Sequence, residues 1–259
     1  SSFLSSLRTG DADKAGNCPP RPPIVRSGAL LVHSTRSTHQ LQRLIFQMAY
    51  AISMCFSAPA SFIAGSALLA TGVTTRNNAK RKDQLLFASM PLLFGIQQIF
   101  DGIAWTSAAS PALHTIAAYG FAFFAYVLWP VYVPLAVVRM EKNRDRRALL
   151  RIFLILGGVA SVSAFANMLS GPVIAEQVNR CIVYTLPHPY PWFMLVLYLF
   201  ATCGSLMSSS DRFVRTFGLA VLISSGVAAL FYTQLFASVW CFFAAVLSGA
   251  IYWHEKRVR

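Results

Sequence analysis

Acidic side chains are scarce in this chain: nine Asp and Glu stand against 22 Lys and Arg, a formal net charge of +13 over 259 residues. The lysines are Lys14, Lys80, Lys82, Lys142 and Lys256, none inside a long apolar run, which excludes a retinal-type Schiff base buried among helices. No histidine lies inside such a run either, which argues against a haem held by two histidines and against a histidine-rich di-metal site. The cysteines (Cys18, Cys55, Cys181, Cys203, Cys241) show no Cys-x-x-Cys spacing, so neither a zinc ribbon nor a redox dithiol is indicated. No metal site is expected, and no cofactor is named by any motif. An internal repeat or inverted symmetry is missing, which counts against a secondary transporter. So is a basic stripe interleaved with aromatics, which leaves nucleic acid out as a partner.

What the chain has in quantity is apolar sequence: 56% of residues are hydrophobic and 12% charged. Seven stretches, at roughly 57–74, 85–107, 115–138, 149–169, 190–207, 213–231 and 235–253, are each about long enough to cross ~30 Å of hydrocarbon as a helix. The expected fold is therefore all-α, a polytopic bundle of seven transmembrane helices with the lipid bilayer as its first partner. Basic residues follow the first, third, fifth and seventh stretches: Arg76, Lys80, Arg81 and Lys82; Arg139 to Arg151; Arg212 and Arg215; Lys256, Arg257 and Arg259. The intervening gaps carry almost no Lys or Arg, so the positive-inside rule puts residue 57 outside and the C-terminus in the cytoplasm of a multi-pass inner (plasma) membrane protein. Topology signal and attraction to anionic headgroups account for the basic excess.

Residues 1–53 differ from the rest, with Pro19, Pro20, Pro22 and Pro23 close together and a basic excess that conflicts with an outside N-terminus. The expectation is a non-native or disordered extension over 1–53 preceding a seven-helix domain over 54–259. On the expected topology Cys55 and Cys181 both face outward, where a disulfide and two free thiols are the alternatives.

The sharpest chemical feature lies in the second stretch. Asp101 is the only acid within an apolar run, and Gln97, Asp101 and Trp105 are four residues apart, so they share one helix face with Gln98 at its edge. Asp101 should lie roughly 9 Å below the outer end of its span, at ~1.5 Å per residue. An ionised carboxylate against lipid there costs about 2–3 kcal/mol or more, so this face must turn inward. It can serve helix adhesion or form a pocket. His188 and Tyr190 before the fifth stretch, Tyr232 and Gln234 after the sixth, Trp240 and Cys241 in the seventh, and His114 at the start of the third all fall in the same outer half. The candidate ligand-binding set is Gln97, Gln98, Asp101, Trp105, His188, Tyr190, Tyr232, Trp240 and Cys241. In the remaining helices Pro130 predicts a kink in the third, and Ser238, Cys241, Ala245, Ser248 and Tyr252 give the seventh a narrow, mostly small packing face.

Met54-Cys55-Phe56-Ser57-Ala58 with Ala60-Ser61-Phe62, Pro91-Leu92-Leu93-Phe94-Gly95-Ile96-Gln97-Gln98 leading to the acid and Trp105, the Trp129-Pro130 pair, and Ser238-Val239-Trp240-Cys241-Phe242-Phe243 together resemble a family of uncharacterised bacterial integral membrane proteins whose chains begin Met-Cys-Phe-Ser-Ala. Asp101 stands where Glu is expected in that family, and residues 1–53 have no counterpart. The resemblance implies boundaries and membrane location but no activity. The leading expectation is an outward-facing polar pocket for a small or lipidic ligand in a sensor or accessory component. The alternative is an intramembrane enzyme on a lipid-like substrate, with Asp101 as general acid/base and Cys55, Cys181 or His188 as nucleophile or proton partner. A channel or transporter stands third.

Overall fold

Ser57, extended and with its hydroxyl accepting the Ala60 N–H at 3.4 Å, and Pro59 in the first turn start helix α1, Ala58–Asn78. The computed structural model describes residues 57–79, 81–178, 181–188, 192–231 and 236–257, and they belong to one compact unit, Met48–Arg259. Among the described residues six further helical rods follow: α2, Lys82–Thr106; α3, Pro111–Met140; α4, Arg144–Leu169; α5, Trp192–Met207; α6, Arg212–Phe231; and α7, Phe236–Arg257. Each coincides with one of the seven apolar stretches. Five of them, Ala58–Asn78, Lys82–Thr106, Pro111–Met140, Arg144–Leu169 and Arg212–Ala229, are long and apolar enough to cross a membrane, and α5 is shorter. Residues 1–53, Cys55, and the side chain of Cys181 lie outside the described residues, and with them the extension and the disulfide alternatives.

Two rods contain a wider, π-helical turn. In α3 it spans Phe123–Leu128, directly before Trp129-Pro130. The proline ring has no N–H to return to the preceding turn, and the Ser161 hydroxyl of α4 donates to the Val127 carbonyl at 2.6 Å, so a neighbouring helix occupies backbone capacity next to the π-helical turn. Gly157 makes the approach possible: a Cβ there would sit 1.8 Å from the Pro130 carbonyl oxygen. Where the sequence predicts a kink, the structure has a π-helical turn braced by α4. The second such turn, Phe200–Gly204, lies in α5.

The tightest seam joins α1 to α2. Buried Ser61, Gly65, Leu68, Gly72 and Thr75 recur at three- and four-residue steps along one face of α1. A Cβ on Gly72 would meet the Leu92 nitrogen at 2.3 Å, so the two backbones touch, as small residues allow in membrane bundles. α7 packs on both helices, with Cys241, Ala245 and Ser248 buried, as its small face predicts. The apolar core has two parts. One holds Phe87, Met90, Phe94, Trp129, Leu206 and Phe217, and the other Ala104, Phe121, Met168 and the hairpin residues Ile182 and Tyr184. Gln97, Gln98 and Asp101 fall between them along α2.

At the end where the basic residues gather, Glu141 closes the α3–α4 and α5–α6 turns onto each other. Its carboxylate accepts the Asn143 N–H at 3.0 Å, the Ser210 N–H at 2.8 Å and the Ser210 hydroxyl at 2.9 Å, while Arg146 donates to the Ser209 carbonyl at 3.2 Å. Burial pushes the Glu141 carboxyl up, but the backbone N–H groups of Asn143 and Ser210 and the Ser210 hydroxyl outweigh it, and the group lies below its ordinary value.

At the opposite end the gap between α4 and α5 departs from the all-α expectation and contains a β-hairpin: β1, Ile174–Val178, pairs antiparallel with β2, Cys181–Thr185, in the register Ala175↔Tyr184. Ala175, Ile182 and Tyr184 are buried, which fixes one face of the ribbon against the helices.

Candidate functional site

The four-residue spacing of Gln97, Asp101 and Trp105 does turn one face of α2 inward. Gln97 is 0%, Gln98 1% and Asp101 6% exposed, while Trp105 is half-buried near the helix end. The glycine seam sets α1 close enough for the Ser61 hydroxyl to donate to Asp101 Oδ2 at 2.6 Å. From the other side the Tyr184 hydroxyl of the hairpin donates to Asp101 Oδ1 at 2.8 Å, its ring stacked on Phe121 at 3.9 Å. Trp105 lies one turn further along the same face of α2. Two hydroxyls in the 2.6–2.8 Å range bracket the acid from two different elements.

One turn toward the basic end the Trp129 indole N–H donates to Gln97 Oε1 at 2.7 Å, with the indole stacked on Phe94 at 3.8 Å. An indole N–H can only donate, so it fixes which end of the Gln97 amide faces it. The Gln97 amide nitrogen then has no acceptor, and Gln98 Oε1 has no donor, among the described residues. Cys241 of α7 lies beside Gln97 and Asp101, but the Gln97 nitrogen makes no well-formed hydrogen bond to it. Buried polar atoms are seldom left unpaired, and here one donor and one acceptor are, a turn or less from the only acid of the apolar spans.

Of the remaining sequence candidates, Trp240 faces away from Asp101, donating to the Val221 carbonyl at 3.3 Å and meeting Tyr198 edge-on at 5.3 Å. With Phe94, Trp129, Phe217 and Cys241 it lines an apolar cavity of about 30 Å³. That is room for roughly two waters at ~10–15 Å³ each, far below the ~300 Å³ of a drug-sized site. His188 is exposed, its backbone held by the Asn167 side chain through two contacts of 3.0 Å. Tyr190 and Tyr232, like Gln234, lie outside the described residues. The structure thus brings together Gln97, Gln98, Asp101, Trp105 and Cys241, and adds Ser61, Trp129 and Tyr184. Among the described residues no three His, Cys, Asp or Glu side chains converge as metal ligands would.

His114 has a different role from the one its position suggested. Its Nε2 is 2.8 Å from the Ala175 carbonyl of β1 and its Nδ1 3.1 Å from the Ser107 hydroxyl. A carbonyl only accepts, so Nε2 carries the proton and Nδ1 accepts from Ser107. Tyr119 donates to the Gly171 carbonyl at 2.9 Å. Both residues fasten the hairpin rather than lining the acid.

The chain belongs to a family of unknown function (DUF6629), whose profile matches residues 54–259. No curated protein and no solved structure matches it.

Proposed function

We propose that this member of the family is a multi-pass protein of the bacterial inner membrane, with the start of α1 outside and the end of α7 in the cytoplasm, that holds a small or lipidic ligand at the polar site around Asp101 and acts as a sensor or accessory component. The observation that carries the reading is the unpaired amide nitrogen of Gln97 and the unpaired amide oxygen of Gln98, both buried beside a carboxylate. Leaving such atoms bare costs on the order of 1–3 kcal/mol each, a cost that a ligand with its own acceptor and donor would recover. A mere adhesive network has no reason to keep both. The domain that does this work is 54–259, with 1–53 as an extension outside it.

Mass spectrometry of the full chain in lipid nanodiscs tests the proposal. The wild type should retain a co-purifying molecule. Asp101→Asn, which keeps shape and hydrogen bonding, should melt like wild type yet lose it, and Asp101→Leu should melt far earlier. If Asp101→Asn retains whatever the wild type retains, the acid serves adhesion alone and the ligand reading fails.

A second reading, an intramembrane enzyme with Asp101 as general base, is favoured by one contact: the Ser61 hydroxyl at 2.6 Å is a reactive group within proton-transfer reach of the carboxylate. Ser61 takes the place there that Cys55, Cys181 or His188 held in the sequence reading. Turnover of a lipid-like substrate that Ser61→Ala abolishes without unfolding would select it.

A further inference from the structure

We infer that the β1–β2 hairpin is a lid over the Asp101 site, hinged where Gly171 meets Pro187 and closed through Tyr184. The inference rests on the reading of Asp101 as a ligand site and concerns how that site is reached. An isolated two-stranded ribbon is marginal by itself, so its position is decided by what fastens it. Beside the buried face formed by Ala175, Ile182 and Tyr184, its polar fastenings are few and identifiable. His114 holds the Ala175 carbonyl, Tyr119 holds the Gly171 carbonyl, Asn167 holds the His188 backbone, and Tyr184 reaches the acid.

The two ends of the excursion converge. A Cβ on Gly171 would lie 3.2 Å from the Pro187 Cβ, so the segment between them leaves and returns at one narrow point. Rotation about that point carries Tyr184 off both Asp101 and Phe121. It exposes the carboxylate from the hairpin side while the Ser61 contact from α1 stays intact. It also uncovers Cys241, which is 3% exposed and lies in the same apolar cluster as Tyr184 and Ile182. A site whose polar atoms are sealed under a stacked tyrosine admits nothing larger than water until that tyrosine moves. Among the described elements the hairpin, held by one buried face and by single hydrogen bonds, is a cover that can move without parting two helices.

Cys241 therefore reports lid opening without any ligand. The test follows alkylation of the full chain in nanodiscs by a soluble maleimide, residue by residue, by mass spectrometry. The variants are His114→Ala, which frees the Ala175 carbonyl of β1, and Tyr119→Phe, which loosens the hinge at Gly171; neither residue touches Asp101. Cys203, 2% exposed in α5 and remote from the hairpin, serves as the internal control. Cys241 should label slowly in the wild type and about 2- to 10-fold faster in each variant, the change that one lost hydrogen bond makes in an opening equilibrium, with Cys203 unchanged. Unchanged Cys241 rates in both variants, or Cys203 rising in step with Cys241, would overturn the lid. Loss of a co-purifying molecule on Asp101→Asn is a separate readout, so failure of the lid and failure of the ligand site are told apart.

Discussion

Asp101 receives its two hydroxyls from residues 40 and 83 positions away in the chain, Ser61 and Tyr184, and neither looks polar enough in sequence to announce the role. The inward face of Gln97, Asp101 and Trp105 was legible because a four-residue step is a helix property and an acid inside a long apolar run has few places to go. Its partners were not. Ser61 reads as one more small residue until the α1 glycines are seen to bring two backbones into contact, and Tyr184 reads as a loop residue until its strand is recognised. Polar contacts between membrane helices are worth roughly 0.6 kcal/mol on average and ~1.7 at most. Ser61→Ala should therefore lower the unfolding free energy by about 1 kcal/mol, with Tyr184 still bonded to the acid. Trp129→Phe keeps the Phe94 stack but leaves the Gln97 oxygen as bare as its nitrogen, and should cost about 1–3 kcal/mol. Unfolding midpoints in mixed micelles would check both, and a smaller effect for Trp129→Phe than for Ser61→Ala would contradict the assignment of Gln97.

Among the elements, the helices are legible because run length and charged ends suffice to mark a span. The hairpin is not, although Ile174, Val178, Ile182 and Val183 supply β-branched residues on both arms, because 170–189 reads by its length as a gap until its alternation is weighed. The π-helical turn before Pro130 has no sequence signal beyond the proline itself. Neighbouring glycines in α4 give a direct test of the α3–α4 contact. A Cβ on Gly157 would sit 1.8 Å from the Pro130 carbonyl, whereas one on Gly158 meets nothing within 4 Å. Gly157→Ala should push α4 from α3 and destabilise by about 1–3 kcal/mol or more. Gly158→Ala should be neutral or stabilise by up to ~1 kcal/mol through helix propensity. Equal effects at the two positions would mean that the helices do not touch there.

For the whole molecule, the proposed orientation predicts that Ala109→Cys labels with an impermeant thiol reagent in intact cells and Asn78→Cys does not; the opposite pattern would invert the protein. The Glu141 clamp at the basic end makes stability depend on acidity. Because the folded carboxyl lies below its ordinary value, its contribution is present above the unfolded value and is lost as pH falls through the folded one. Melting temperature should therefore drop between neutral and acid pH, and Glu141→Gln should flatten part of that drop. An acid limb identical in the variant would show that other carboxylates carry it.

The α1–α2 seam has a consequence for the order in which the protein is made. Among the described helices these two emerge first, only residues 79–81 separate them, and their glycines let them dock before the later described helices exist. On the proposed membrane reading, Asp101 would then enter the bilayer with the Ser61 hydroxyl already beside it, and the nascent chain would never be required to hold a bare carboxylate in lipid. A chain arrested after α3 and carrying both Ser61→Cys and Asp101→Cys should accordingly form a disulfide between positions 61 and 101, and Gly72→Leu should prevent it. A seam that reads as packing in the finished bundle would thus be the step at which biosynthesis secures its most hazardous residue.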